Sequence, residues 1–311
     1  MTEYQQSVVQ EFTECVAQCE TLEELMRTGV HLFTISYMDT IIKACWPVFS
    51  KRLHEIAPQD RVGGLVIAVD LPAIFSASHS QVGDDAPQDV CDRLSAIIGT
   101  LSDQYEPKSR IHAILTADCP HLWRKVACKE FKAKRPSKPE GFVELYADTR
   151  ARLEREGYRI ELHKTMESDD ILASIGFRCR LRRHSCILVT DDRDLLQCVG
   201  NGVTVYTPRS SVHKNEEWLL QEMQLTPKQI VDYLCLVGKD DVPSANKIGD
   251  INATKLLARC GSYPAILDSM DSLLKAKEVT AKQADSLIEF STHYQLAKKM
   301  HTKLRHLEVN W

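Results

Sequence analysis

Long hydrophobic runs are missing from this sequence. No apolar stretch among its 311 residues approaches the roughly 20 needed to span a bilayer, which predicts no helical membrane crossing. The acidic start MTEYQQSVVQEFTE also lacks the basic and then apolar pattern of a secretory signal. Eleven cysteines are present, yet none form a CxxC pair, so the chain reads as carrying reduced intracellular thiols and not a disulfide framework. Cys179, His184 and Cys186 offer half of a zinc site at most, because no second ligand pair has suitable spacing. No internal repeat and no low-complexity tract interrupts the chain.

What remains is the composition of a globular protein, 43% hydrophobic and 26% charged, long enough for one large domain or two ordinary ones. The formal net charge of −4 is unevenly spread. Residues 121–140, HLWRKVACKEFKAKRPSKPE, hold seven Lys or Arg against two Glu, a candidate phosphate-facing patch whose plain alternative is a solvated helix face.

Residues 1–60 read as a helical extension, with Val8, Val9, Phe12 and Val16 at helical spacing, and again Met38, Ile41, Ile42 and Cys45. APQDRVGG at 57–64 breaks that pattern. Short apolar runs then alternate with helix-length connections: LVIAV (65–69), IHAILT (111–116), YRIEL (158–162), CILVT (186–190) and GVTVY (202–206). This alternation predicts an α/β fold, a mostly parallel sheet with helices on both faces, whose ligands bind beyond the carboxyl ends of the strands. We place this core at 61–215 and a helical part at 216–311. In the latter, TPKQIVDYLCLVG (226–238) and a segment from Asp250 to Gly261 form a helix, loop, helix unit.

Carboxylates mark the predicted strand ends: Asp70, Asp118, then Asp191, Asp192 and Asp194 in VTDDRDLLQC. Glu167, Asp169 and Asp170 sit where a helix begins. Singly, each is explained by a turn or a helix cap. Together, parallel topology brings them to one rim, where like charges raise each other's pKa unless cations compensate. Clustered oxygen ligands without His or Cys favour Mg²⁺ or Mn²⁺, and two such ions about 4 Å apart suit phosphodiester hydrolysis.

These residues resemble the 5′ nucleases: flap endonucleases, bacteriophage 5′-to-3′ exonucleases and the 5′ nuclease domain of bacterial DNA polymerase I. The series VIAVD, ADCPHLWRKVACKEFKAKRP, ESDDILAS, VTDDRDLLQ, TPKQIVDYLCLVG, KIGDINATKLL and LEVNW occurs in the family's order over roughly residues 65–311. The run LWRK, FKAKR, KPEGFVE is most similar to the phage enzymes. The resemblance implies a PIN-like fold with a basic arch at 121–155 and a chain end returning to the core. It also implies metal ligation by Asp70, Asp118, Glu167, Asp169, Asp170, Asp192 and Asp194, with Asp191 a spectator, and phosphate contacts at Lys132, Arg135 and Arg124. Lys125, Lys134, Lys247, Gly249 and Lys255 are the further expected DNA contacts.

The helix, loop, helix unit resembles the family's duplex-binding element, in which a potassium ion often helps backbone amides hold a phosphate. Here GKDDVPSANKIG departs from the family pattern. Two residues are missing, Lys239 stands where an acidic ligand is common, and Lys247 replaces a loop glycine and places a side-chain charge at the cation's position. Asp240, and after it Asp241, is the remaining candidate for the second metal.

The resemblance implies a Mg²⁺- or Mn²⁺-dependent 5′-3′ exonuclease or flap endonuclease of replication or repair, using two ions. Its substrates would be DNA with a flap, nick, gap or free 5′ end, or an RNA–DNA hybrid. We expect a monomer with no membrane partner, working beside a separate polymerase in the cytoplasm or nucleoid, or in the host cytoplasm if the chain is of phage origin. The rival readings are a catalytically weak junction-binding protein of the same fold and a PIN-type ribonuclease.

Overall fold

The computed structural model describes residues 3–18, 45, 48, 64–103, 105, 111–119, 122–305, 307 and 309. Met38, Ile41 and Ile42, residues 57–63 of the expected break, and Glu308, Asn310 and Trp311 of the terminal motif lie outside them. Helix α1 (Glu3–Gln18) carries the first helical pattern, with Phe12 and Val16 buried.

Six strands form one sheet: β1 (Leu65–Asp70), β2 (Ile111–Ala117), β3 (Arg159–Leu162), β4 (Ser185–Val189), β5 (Val203–Thr207) and β6 (Val212–Lys214). Their order is β3-β2-β1-β4-β5-β6, and every pairing is parallel except that of β6 with β5. The five expected strands are present within a residue or so at each end. The short edge strand β6 went unread, because three residues give no measurable alternation.

Central β1 is buried along its whole length, and its alternating side chains feed two cores. Leu65, Ile67 and Val69 join a cluster with Phe75 of α2 (Leu71–Val82), Val90 and Leu94 of α3 (Ala86–Asp103) and Leu153. Val66 and Ala68 face a larger cluster, which contains Ile171 and Ile175 and runs on through Leu234, Leu257, Leu287 and Met300. The apolar core therefore passes without a break from the sheet into the C-terminal helices.

Between β2 and β3 lie a short helix α4 (Trp123–Ala127), a set of turns and α5 (Phe142–Arg155), which carries Leu153. The long connection from β3 to β4 is α6 (Ser168–Leu181), which carries Ile171 and Ile175. The chain moves from β1 outward to β2 and β3, then crosses back to β4 on the other side of β1. That reversal opens a crevice at the carboxyl ends of β1 and β4, the place where open parallel sheets bind ligands.

In the C-terminal part a 3₁₀ turn (Pro227–Gln229) leads into α7 (Ile230–Val237), and α8 (Asp250–Cys260) follows. Gln229 Oε1 accepts from the Thr226 backbone N–H at 2.8 Å and closes the helix start the sequence announced. Gly238 ends α7 at φ 81°, and a Cβ there would stand 2.5 Å from Ser244 Oγ, so only glycine fits. Two short helices (Tyr263–Asp268, Met270–Lys275) and two longer ones, α9 (Ala281–Phe290) and α10 (Tyr294–His301), complete this part. No helix among the described residues is long and apolar enough to cross a membrane.

Candidate active site

Asp70 is the last residue of β1 and also caps α2, through Ala73 N at 3.4 Å. Its two carboxylate oxygens accept from hydroxyls on neighbouring elements, Ser168 Oγ at 3.0 Å and Thr190 Oγ1 at 2.9 Å. The Ser168 backbone N–H donates to Asp118 Oδ1 at 2.8 Å, so the carboxylate after β2 satisfies the amino end of α6. Thr190 Oγ1 in turn accepts from Asp192 N at 3.1 Å, and Thr116 Oγ1 lies 2.6 Å from Ser168 Oγ. One hydroxyl network thus joins the ends of β1, β2 and β4 to the start of α6.

Burial, and then the charge of Asp118, push the Asp70 carboxyl up to about 6. Desolvation, with Glu167 adding to it, also raises Asp118, against the pull of the Ser168 amide and of Lys132. Neither carboxylate forms a salt bridge among the described residues. Asp169 is raised too, by burial and by Asp192 and Asp70, although Lys303 Nζ lies 3.3 Å away.

Arg124 differs from the sequence expectation. The guanidinium expected to face phosphate is 0% exposed, held by Asp170 at 2.5 and 2.8 Å, Glu167 at 2.8 Å and the carbonyl of Met300 at 2.9 Å. Asp170, expected among the metal ligands, is 0% exposed as well; it accepts from Leu304 N at 3.0 Å and is held low because Arg124 outweighs its burial. Arg124 and Asp170 are therefore a structural pair that ties α4 and α6 to the returning chain end. Neither side chain, expected as phosphate contact and as metal ligand, reaches the protein surface.

A second group of carboxylates is already neutralised by lysine. Lys239 Nζ lies 2.5 Å from Asp192 and 2.8 Å from Asp194, and Lys303 Nζ lies 3.0 Å from Asp194. Burial alone would raise Asp194, but Lys303 and Lys239 overcome it and hold the carboxyl well below its ordinary range. The same contacts raise both lysines against their burial. Asp191 is exposed and accepts from Arg209 N at 3.4 Å.

Asp240 and Asp241, the expected candidates for the second metal, are paired with the basic segment. Both have positive φ, 57° and 59°. Asp240 pairs with Arg135 at 2.5 Å, and Asp241 accepts from Lys134 N at 3.0 Å and pairs with Lys134 Nζ at 3.6 Å. The Asp240 carbonyl accepts from Lys132 N at 2.9 Å, so the 240–241 turn anchors the basic segment. Lys132, itself at φ 56°, donates its Nζ to Glu167.

Lys125, Lys134, Lys247, Gly249 and Lys255 are all exposed. Gly249 is the N-cap of α8 and offers no side-chain cap, which leaves the first backbone amides of that helix open to an anion. A cleft of about 570 Å³ beside it is lined by Arg193, Lys214, Trp218, Tyr233 and Lys255. Sequence reasoning missed Thr116, Ser168, Thr190 and Lys303; their signal is spatial, since Val69, Asp70 and Asp169, the partners that tie them into the site, lie 47 to 134 residues away.

Among the described residues no group of three or more His, Cys, Asp or Glu is gathered closely enough to hold a metal ion as it stands. The chemistry of the two halves nevertheless differs. Asp70, Asp118, Glu167 and Asp169 are hard oxygen donors, and Asp70 and Asp118 are held by hydroxyls and an amide with no salt-bridging cation among the described residues, so this half fits a divalent cation. The Asp192 and Asp194 half, filled by Lys239 and Lys303, does not.

The family model described as 5′-3′ exonuclease, N-terminal resolvase-like domain, matches residues 75–229. DNA polymerase I of Mycobacterium tuberculosis is 31% identical over 150 residues, 46% of this chain and 17% of that protein. The thermostable DNA polymerase I of Thermus thermophilus is 30% identical over 191 residues, 60% of this chain and 22% of that protein. The chain thus spans about a fifth of the length of these relatives. A structure of bacteriophage T5 5′-exonuclease with bound zinc ions shares the fold with TM-score 0.59 at 13% identity, over 76% of this chain and 88% of that one. A complex of the bacteriophage T5 flap endonuclease with DNA and metal ions gives TM-score 0.57 at 12% identity, over 76% and 87%. With the family domain matched over 75–229, and with carboxylates at the strand ends of a six-stranded, mostly parallel sheet, the chain belongs to the 5′ nuclease family.

Proposed function

We propose that this chain is a divalent-metal-dependent 5′ nuclease that hydrolyses DNA phosphodiesters near 5′ ends, as a 5′-3′ exonuclease or flap endonuclease in replication or repair. The observation that carries the reading is the gathering of the Asp70 and Asp118 carboxylates at the carboxyl edge of the sheet, both held by Ser168 and Asp70 also by Thr190, with Lys132 of the basic segment against Glu167. A structural core has no use for carboxyls pushed upward by burial and by one another.

Asp70, Asp118, Glu167 and Asp169 would hold the ion, Mg²⁺ or Mn²⁺. When bound, it supplies activation of water and neutralisation of phosphate charge. Ser168 and Thr190 fix the orientation of Asp70, leaving the ligand no freedom to turn away. Lys132 sits against Glu167 with its ammonium partly exposed, placed to meet a phosphate oxygen as charge develops there. Arg135 pairs with Asp240 yet is 57% exposed, which leaves guanidinium N–H groups for a neighbouring phosphate. Water adds to phosphorus and the P–O3′ bond breaks, giving 5′-phosphate and 3′-hydroxyl ends.

The open amides at the start of α8, flanked by Lys247 and Lys255, suit a phosphate of the duplex portion. We further propose a monomer that acts beside a separate polymerase. Matched DNA and RNA flaps, each 5′-labelled and incubated with Mg²⁺, test the substrate. Preferential release of short labelled products from DNA is expected, and cleavage confined to RNA would assign a ribonuclease.

A further inference from the structure

Lys239 and Lys303 reach the same carboxylate pair from two different segments, and both backbones are pinned. Lys239 stands between Gly238, which tolerates no side chain, and Asp240, whose carbonyl and carboxylate hold Lys132 N and Arg135. Lys303 N donates to Gln197 Oε1 at 3.0 Å, and the following Leu304 N donates to Asp170. These are therefore not surface lysines folded into an open cleft. The Lys303 side chain is 4% exposed and lies between Asp194 and Asp169, whereas that of Lys239 is 26% exposed and lines the cleft mouth beside Asp192 and Tyr233.

An ammonium 2.5 Å from Asp192 and 2.8 Å from Asp194 occupies the space in which an ion shared by those two carboxylates would sit. The other acidic candidates nearby, Asp240 and Asp241, are committed to Arg135 and Lys134. No such cation pairs with Asp70 or Asp118 among the described residues.

We propose that Lys239, backed by Lys303, replaces a second divalent ion, so that this nuclease works with a single exchangeable ion on the Asp70 and Asp118 side. Lys239 uses two of its three N–H donors on Asp192 and Asp194. The third remains for a phosphate oxygen, giving the charge of the second ion without its exchange. This inference rests on the metal-dependent reading above.

Calorimetric titration of the full chain with Mn²⁺, with electron paramagnetic resonance on the same samples, tests it without relying on turnover. One ion per chain and no spin-coupled Mn²⁺ pair are expected for the native protein. Lys239→Asp, alone or with Lys303→Met, is expected to take two ions and show the coupled signal. Lys239→Met, which keeps the bulk, is expected to keep one Mn²⁺ and lose at least about 10²-fold in single-turnover cleavage. Two coupled ions in the native protein overturn the proposal, as does a single ion in both Lys239→Asp variants. Cleavage with two ions bound would sink this inference and leave the nuclease reading standing. The expected stoichiometries without cleavage of any nucleic acid would overturn the nuclease reading and, with it, the catalytic part of this inference.

Discussion

Replacing Arg124 with methionine separates a structural role from a DNA contact. The substitution keeps the aliphatic stem but strands Asp170, 0% exposed, and Glu167, 3% exposed, without the guanidinium that bonds both. Two backbone carbonyls, of Met300 and Thr302, lose their donor as well. Breaking a buried pair from one side costs about 3 to 5 kcal/mol, because the surviving charge stays desolvated. In urea, with an m-value of about 3 kcal/mol per molar, the midpoint falls by roughly 1 to 1.7 M. The double variant Arg124→Met, Asp170→Leu removes both partners and recovers part of that loss, since an apolar pair can replace a buried ionic one. A single variant within about 1 kcal/mol of the parent but with weakened DNA binding would refute the reasoning and restore the phosphate role.

Other substitutions probe the site itself. Lys132→Ala is expected to lower the single-turnover rate by about 10²- to 10³-fold with little change in melting, and an unchanged rate removes Lys132 from catalysis. Thr190→Val breaks the bonds to Asp70 and to Asp192 N, which should cost about 1 to 3 kcal/mol and slow cleavage; full activity would show that the hydroxyl network positions nothing. His301 is held down to about 4, from 6.5, by burial, offset by Asp194 but reinforced by Lys303 and Lys239. Between those two values the unfolded chain binds the extra proton, so His301 contributes stability above pH 6.5 that is lost on acidification toward pH 4. The stability difference between parent and His301→Gln should therefore shrink across that window, and a difference independent of pH contradicts it.

Much of the fold was legible because buried parallel strands read as continuous apolar runs. LVIAV, IHAILT and CILVT each ended within two residues of a carboxylate, and the crossover topology brought those ends together. The Thr226 start and the Gly261 stop were likewise local signals. Arg124 was misread for the opposite reason. WRKVACKEFKAKR looks uniformly basic, and only the chain end near Met300 and Thr302, more than 170 residues on, makes one of its cations a core residue. Lys303 and Ser168 gave no pattern for the same reason. Lys239 was visible as a departure from the family motif, but only geometry shows that it fills the space between Asp192 and Asp194.

Cleavage of a 5′-labelled DNA flap by the full chain, measured against Asp70→Asn with binding followed in parallel, tests the central claim most directly. Release of short labelled products in Mg²⁺ is expected, abolished by a chelator and lowered at least about 10²-fold by Asp70→Asn, with DNA binding retained. Binding of the flap without cleavage in either Mg²⁺ or Mn²⁺ would contradict the account.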